Sequence, residues 1–283
     1  NGKYLIYNLL NCLILKLSYV RVKMDEENKI LLQNEFDGIY KLTLNRPRAH
    51  NALSYDLLLE ISNALNTIKK NKRIKVLIID ANGPSFCSGH DLKEINSKND
   101  KESYEKLFSL CSSVMLSIIK LDIPVIASVH STATAAGCQL VATCDLAIAS
   151  DKARFATPGV NIGLFCSTPM VALSRNISKK HSMEMLLTGD LIDALTAKEY
   201  GLINRVVPCR DLNDTVLEIA KKILKKSSKT IATGKKAFYE QLELGVSEAY
   251  KFTSEIMTNN MTEYNAQEGV DAFLQKRPPV WKD

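Results

Sequence analysis

Pro124-Val125-Ile126-Ala127-Ser128-Val129, then Thr134-Ala135-Ala136-Gly137-Cys138-Gln139-Leu140, then Leu146-Ala147-Ile148-Ala149 follow one another in the middle of the chain. The first and third runs are short and continuously apolar, as strands buried on both faces are. Between them the small residues Ala133–Gly137 lead into an apolar helix, Cys138–Thr143. Strand, small-residue turn, helix and strand in that order specify an α/β layer.

The pattern extends outward on the N-terminal side. Gly38–Leu44 alternates as a half-buried strand does, and Asn45-Arg46-Pro47 ends it. Ser54 stands as an N-cap before Leu57, Leu58, Ile61, Leu65 and Ile68, which recur at helical spacing. Val76–Ile79 is another doubly buried strand, closed by the turn residues Asn82-Gly83-Pro84. A helix follows across Tyr104–Ile119.

C-terminally, two helices around Met183–Leu187 and Leu195–Tyr200 precede Gly201, which suits a C-cap. Beyond Pro208 the pattern is wholly helical: Leu212–Lys225, Lys229–Leu244 and Ser247–Gln275. No Pro/Gly/Ser-rich linker intervenes. The expected organisation is an N-terminal extension (1–33), an α/β core (34–210) and a C-terminal helical region of the same domain (211–283).

The net charge is +6 over 283 residues. Residues 1–23 hold Lys3, Lys16, Arg21 and Lys23 and no acid, so the globular part is nearly neutral. A nucleic-acid-binding surface is not expected, because that needs clustered cations on the folded part. The basic, acid-free, Leu/Ile-rich composition of residues 1–23 suits a mitochondrial targeting segment. The alternative is that the protein starts at Met24; it would then be cytoplasmic. No apolar stretch is long enough for a confident membrane span. Seven irregularly spaced cysteines argue against a disulfide framework. His50, His90, His130 and His181 form no metal-ligand pattern.

Two turns could carry chemistry: Phe86-Cys87-Ser88-Gly89-His90-Asp91-Leu92 and Thr134–Leu140. Small side chains let a ligand approach the backbone, and a helix N-terminus presents free N–H groups. Facing one another, such turns would make an oxyanion hole; the alternative is tight helix–strand packing. Cys138, at a helix start, is a candidate for a lowered thiol pKa, with no base to activate it.

These pieces carry a resemblance. Asn45-Arg46-Pro47 with Asn51-Ala52-Leu53, Phe86–Leu92, Pro124–Ala127, Ala136–Leu140, Cys144-Asp145-Leu146, Phe155–Pro158 and Leu187-Thr188-Gly189 stand in the order of the crotonase (enoyl-CoA hydratase/isomerase) superfamily. The chain resembles that superfamily over nearly all of residues 34–282. The resemblance implies a crotonase-like (ClpP/crotonase) spiral core of ββα units with a C-terminal helical region. It also implies a homotrimer or hexamer, and an acyl-CoA thioester as substrate or ligand, with no further cofactor. The backbone N–H groups of His90 and Ala136 match the thioester-oxygen donors. Arg46, Lys93 and Lys276 match positions near the CoA phosphates and adenine.

The resemblance also exposes departures. A hydratase uses two carboxylates, one activating water and one protonating the α carbon. The matching positions here are Gln139 and Gly159, and the acid position of the isomerases is Ser167. Hydration by the usual route is therefore not expected. Three readings remain: an acyl-CoA (fatty acid) metabolism protein of this family with doubtful hydratase activity, a non-catalytic acyl-CoA sensor or regulatory subunit, or another thioester chemistry such as hydrolysis or decarboxylation.

Overall fold

A computed structural model describes residues 29–282. Residues 1–28, which hold the targeting expectation, lie outside that range. The main sheet runs in the order β1 (Leu31–Phe36), β2 (Ile39–Leu44), β3 (Val76–Ala81), β4 (Val125–Val129), β6 (Leu146–Ser150), β9 (Arg205–Val207). Only β1 is antiparallel to its neighbour; every other pairing is parallel. A small second sheet joins β5 (Ala133–Thr134), β7 (Arg154–Ala156) and β8 (Ile192–Asp193).

The helices are α1 (Tyr55–Lys70), α2 (Leu92–Lys98), α3 (Lys101–Ile119), α4 (Ala136–Thr143), α5 (Pro169–Asn176), α6 (Lys179–Thr188) and α7 (Ala194–Tyr200). The C-terminal region adds α8 (Leu212–Leu224), α9 (Ser228–Gln241), α10 (Val246–Met261) and α11 (Tyr264–Leu274).

The continuous apolar run of β3 is explained by its two faces. Leu77 and Ile79 enter the larger core with α1 and α3, whose buried residues include Leu57, Leu65, Val114 and Ile118. Val76 and Ile78 face the other way and join Ile126 and Ile148 against Leu212, Val216 and Ala220 of α8. Burial on both sides removes the alternation a one-sided strand would show. Helix α1 starts where expected: the Ser54 hydroxyl accepts from the Leu57 N–H.

Several elements depart from the expectation. The sheet begins at Leu31, three residues before the point where the sequence pattern turns globular. The expected last helix is two, separated at Glu263, which adopts an extended conformation as the N-cap of α11 and whose carboxylate pairs with Lys229 of α9. Helix α3 begins at Lys101, where Asp100 caps it through the Ser103 N–H.

A buried ion pair fastens the helical region to the sheet. Lys235 of α9 donates to the Asp145 carboxylate at 2.7 Å and to the carbonyls of Ile118 and Ile123. Tyr239 donates to the other Asp145 oxygen at 2.8 Å, and the Val125 N–H donates to Asp145 Oδ2. The Lys235 side chain is only 7% exposed. Burial pushes its pKa down, and Asp145 opposes that shift.

Candidate active site

The two small-residue turns lie side by side. The Thr134 N–H donates to the Cys87 carbonyl at 2.9 Å, and Cys87 and Ala133 form a parallel bridge. A Cβ placed on Gly137 would lie 2.2 Å from that same carbonyl, so only glycine lets helix α4 seat here. A Cβ on Gly89 would lie 2.8 Å from Ala135 Cβ and 3.5 Å from the Ala136 nitrogen. The peptides entering His90 and Ala136 are thus neighbours across this contact.

Among the described residues, neither the His90 N–H nor the Ala136 N–H donates a hydrogen bond. Both flanking peptides of the first turn are used instead. The Leu53 N–H donates to the Gly89 carbonyl at 2.7 Å, and the Asp91 N–H to the Leu53 carbonyl at 3.2 Å. Ala136 is the first residue of α4, where the N–H is free and the helix dipole is positive. Ala135 holds φ +50°, a conformation that costs a non-glycine residue about 1–3 kcal/mol. Strain is therefore stored at the residue that aims the Ala136 N–H.

The Asn45-Arg46-Pro47 and Asn51-Ala52-Leu53 segments turn out to scaffold the first turn. Asn51 is fully buried. Its amide donates to the carbonyls of Asn82 and Ser85 at 2.7 Å each, and its oxygen accepts from the Arg46 N–H. The Ser88 N–H donates to the His50 carbonyl. Sequence reasoning gave Asn51 no role; a buried Asn bracketed by two backbone carbonyls leaves no periodic signal.

Arg46 makes internal contacts. Its guanidinium donates to the Ala52 carbonyl and to Asp91 Oδ2, the latter at 2.9 Å. Asp91 also caps α2 through the Lys93 and Glu94 N–H groups. These bonds outweigh desolvation and hold Asp91 below the usual carboxylate range. Lys93 stays exposed on the first turn of α2. Lys276 is exposed at the end of α11, which packs chiefly on α10, so it is placed by the helical region and not by the two turns.

Gln139 lies in the first turn of α4, 5% exposed, and its side-chain oxygen is buried with no hydrogen-bond partner among the described residues. Gly159 sits in a short helical turn after β7. A Cβ on Gly159 would lie 2.6 Å from the Leu164 carbonyl and 2.9 Å from Cys166 Sγ, so the following loop already fills that space. Ser167 is exposed on that loop.

The expectation for Cys138 is corrected. It is fully buried, and burial pushes its thiol up to about 12 despite the helix N-terminus. The Cys87 and Cys111 thiols are likewise pushed up to about 12 by burial. Thiolate chemistry has no support at these sites.

The His90 ring packs edge-on against Phe108 of α3, centroids 5.2 Å apart. Neither of its nitrogens has a hydrogen-bond partner among the described residues. Burial pushes its pKa down, against weaker opposing influences from the Leu53 carbonyl and Glu94. The ring is therefore neutral at pH 7.

A parallel α/β core with two facing donor turns and a C-terminal helical region defines a class of protein. Residues 34–283 match the enoyl-CoA hydratase/isomerase family, and the chain belongs to that family. Its fold is the crotonase fold. The chain is 46% identical over 257 residues to the Rattus norvegicus protein named enoyl-CoA hydratase domain-containing protein 3, mitochondrial, covering 91% of this chain and 86% of that one. The crystal structure of human enoyl-CoA hydratase domain-containing protein 3 superposes with a TM-score of 0.87 at 45% identity, covering 89% of this chain and all of the other. A Mycobacterium smegmatis enoyl-CoA hydratase structure gives 0.88 at 48% identity, covering 90% and 99%.

Proposed function

We propose that this protein binds acyl-CoA thioesters in acyl-CoA (fatty acid) metabolism, seating the thioester oxygen between the His90 and Ala136 N–H groups. The observation that carries this is the pair of undonated N–H groups on neighbouring turns. Two preorganised donors stabilise charge developing on a carbonyl oxygen, and one such donor is worth about 3–4 kcal/mol in acyl transfer. Exposed Lys93 and Lys276 would meet the CoA phosphates, together with Arg46, which also pairs with Asp91.

Hydration by two carboxylates is not the reaction in this reading. Gln139 cannot accept a proton at neutral pH, Gly159 has no side chain, and Ser167 is no acid. General acid–base groups contribute about 10²–10⁴-fold each, so crotonyl-CoA hydration should run near background. The filled space over Gly159 favours this further, because no second carboxylate can enter without moving Leu164 and Cys166.

The oligomer and the compartment belong to the same reading. Val246, Tyr250, Met257 and Phe273 lie well exposed on α10 and α11, Phe273 at 82%. Apolar surface of that extent on one region calls for a partner, and a homotrimer or hexamer would cover it. The mitochondrial names of the rat and human relatives support that compartment. No helix among the described residues is long and apolar enough to cross a membrane.

The test is a thermal-shift screen against an acyl-CoA panel, with mass spectrometry of each binder after incubation. A changed thioester makes the protein an enzyme of another thioester chemistry, such as hydrolysis or decarboxylation. Binding without product makes it a sensor or regulatory subunit. Absence of binding across the panel defeats the proposal.

A further inference from the structure

We infer that the end of the molecule where helices α1 and α8 stop is a docking face for an anionic lipid bilayer. The inference is independent of the acyl-CoA reading.

Two basic segments far apart in sequence meet there, on either side of the turn between β1 and β2. The Gly38 carbonyl accepts from the Lys75 N–H at 2.8 Å. A Cβ placed on Gly38 would lie 3.5 Å from the Arg73 carbonyl oxygen and 3.3 Å from Leu224 Cδ2 of α8. Lys69, Lys70, Lys72 and Arg73 belong to the α1 side, and all are exposed. Lys221, Lys222, Lys225 and Lys226 belong to the α8 side and are exposed too. The acids beside them do not balance this charge. Glu35 meets Arg73 at 3.8 Å, Glu218 meets Lys222 at 2.6 Å, and Asp37 lies on the turn itself. Among the described residues, the other six lysines form no ion pair. Like charges gathered in this way repel one another, so an anionic partner gains by covering them.

Helix dipoles explain only part of the gathering. Cations in a last turn complement the negative end of a helix, and that influence fades within the turn. Lys69 and Lys70 stand in the last turn of α1, and Lys221 and Lys222 in that of α8. Lys72, Lys225 and Lys226 lie past the last helical residue of either helix.

The chemistry favours a bilayer over a nucleic acid. All of these cations but Arg73 are lysines, which meet phosphate as point charges. Single-stranded nucleic acid is gripped by aromatic side chains that stack on its bases. Trp281, the aromatic side chain beside Lys225, is instead half-buried, and its indole N–H donates to the Lys225 carbonyl at 2.8 Å. The preceding Val280 is 66% exposed. An apolar side chain beside a group of lysines suits the headgroup boundary of a membrane.

The full chain should be sedimented with vesicles of phosphatidylcholine alone and with vesicles of equal parts phosphatidylcholine and phosphatidylglycerol. It should bind the anionic vesicles and not the neutral ones, and high salt should release it. Each cation near an anionic surface is worth about five-fold in partitioning. Lys69→Gln with Lys70→Gln and Lys72→Gln should therefore weaken binding about a hundred-fold, and Lys221→Gln with Lys225→Gln and Lys226→Gln should do the same. Both triple variants should keep the wild-type melting temperature and butyryl-CoA affinity. Lys179→Gln with Lys180→Gln and Lys198→Gln removes equal charge from exposed positions on α6 and α7 and should leave vesicle binding within a few-fold of wild type. Residues 1–23 carry four further cations, but every variant retains them, so the differences report on this face. No affinity for the anionic vesicles overturns the inference. So do equal losses in every triple variant, or affinity that the first two triples leave intact. Tighter binding of an unstructured RNA than of the anionic vesicles would make this a nucleic-acid face and overturn it as well.

Discussion

Gly137→Ala sets two physical effects against each other. Gly137 is helical, in the first turn of α4, so helix propensity alone favours alanine by about 1 kcal/mol. Packing opposes it. The new methyl would lie 2.2 Å from the Cys87 carbonyl oxygen and 2.8 Å from both its carbon and Cys87 Cβ. Ordinary contact requires more than an ångström of further separation, and the obstacle is backbone. The Cys87 carbonyl is held by the Thr134 N–H at 2.9 Å, inside the bridge that keeps the two turns together. Driving it back costs about 1–3 kcal/mol of overpacking and a further 1–3 kcal/mol for a broken buried hydrogen bond. The expected net effect in urea unfolding is a loss of about 1–5 kcal/mol, with thioester binding weakened at least ten-fold because the two donors separate. Gly234→Ala is the matched control: Gly234 is exposed in α9 with nothing near its Cβ position, and alanine should stabilise by about 0.5–1 kcal/mol. A Gly137→Ala protein as stable as wild type, with binding intact, would refute the claim that this contact builds the site.

Restoring carboxylates should act unequally. Gln139→Glu should be tolerated and raise crotonyl-CoA hydration measurably, whereas Gly159→Glu should destabilise because Leu164 and Cys166 stand in its place; equal stability of the two variants in thermal melts would count against the packing argument. Lys235→Met leaves the Asp145 carboxylate buried without its cation and should cost about 3–5 kcal/mol, with faster amide exchange in α9; a change under 1 kcal/mol would show that the ion pair does not fasten that helix. Glu268 accepts from Arg277 and from the Val280 N–H, which hold its pKa down to about 2. A depressed carboxylate stabilises fully above its unfolded pKa, about 4.3, and loses that contribution as pH falls through the folded value. The Val280 amide should therefore stay protected from exchange at pH 5 and lose protection between pH 4 and 2; protection that already fails at pH 5 would contradict the assignment.

The long elements were legible because their burial is periodic or complete. Val76–Ile79 and Val125–Val129 could be read as doubly buried strands, and Ser54 announced α1. The small sheet was not legible, because strands of two or three residues show no alternation. Neither was the break at Glu263, where no Gly or Pro stands to stop the helix. At the site, the two turns and their donors were readable as small-residue segments. The pairing of Arg46 with Asp91, the loop packed over Gly159 and the burial of Cys138 all depend on tertiary neighbours, which one sequence does not display.

The central claim is that the His90 and Ala136 N–H groups grip a thioester carbonyl. Infrared difference spectroscopy with a ¹³C-labelled thioester carbonyl tests it directly. The account predicts that the carbonyl band of bound butyryl-CoA moves to lower frequency than in water, as two preorganised donors polarise it, and that Gly137→Ala reverses most of the shift. A bound carbonyl that absorbs at its solution frequency would contradict the account.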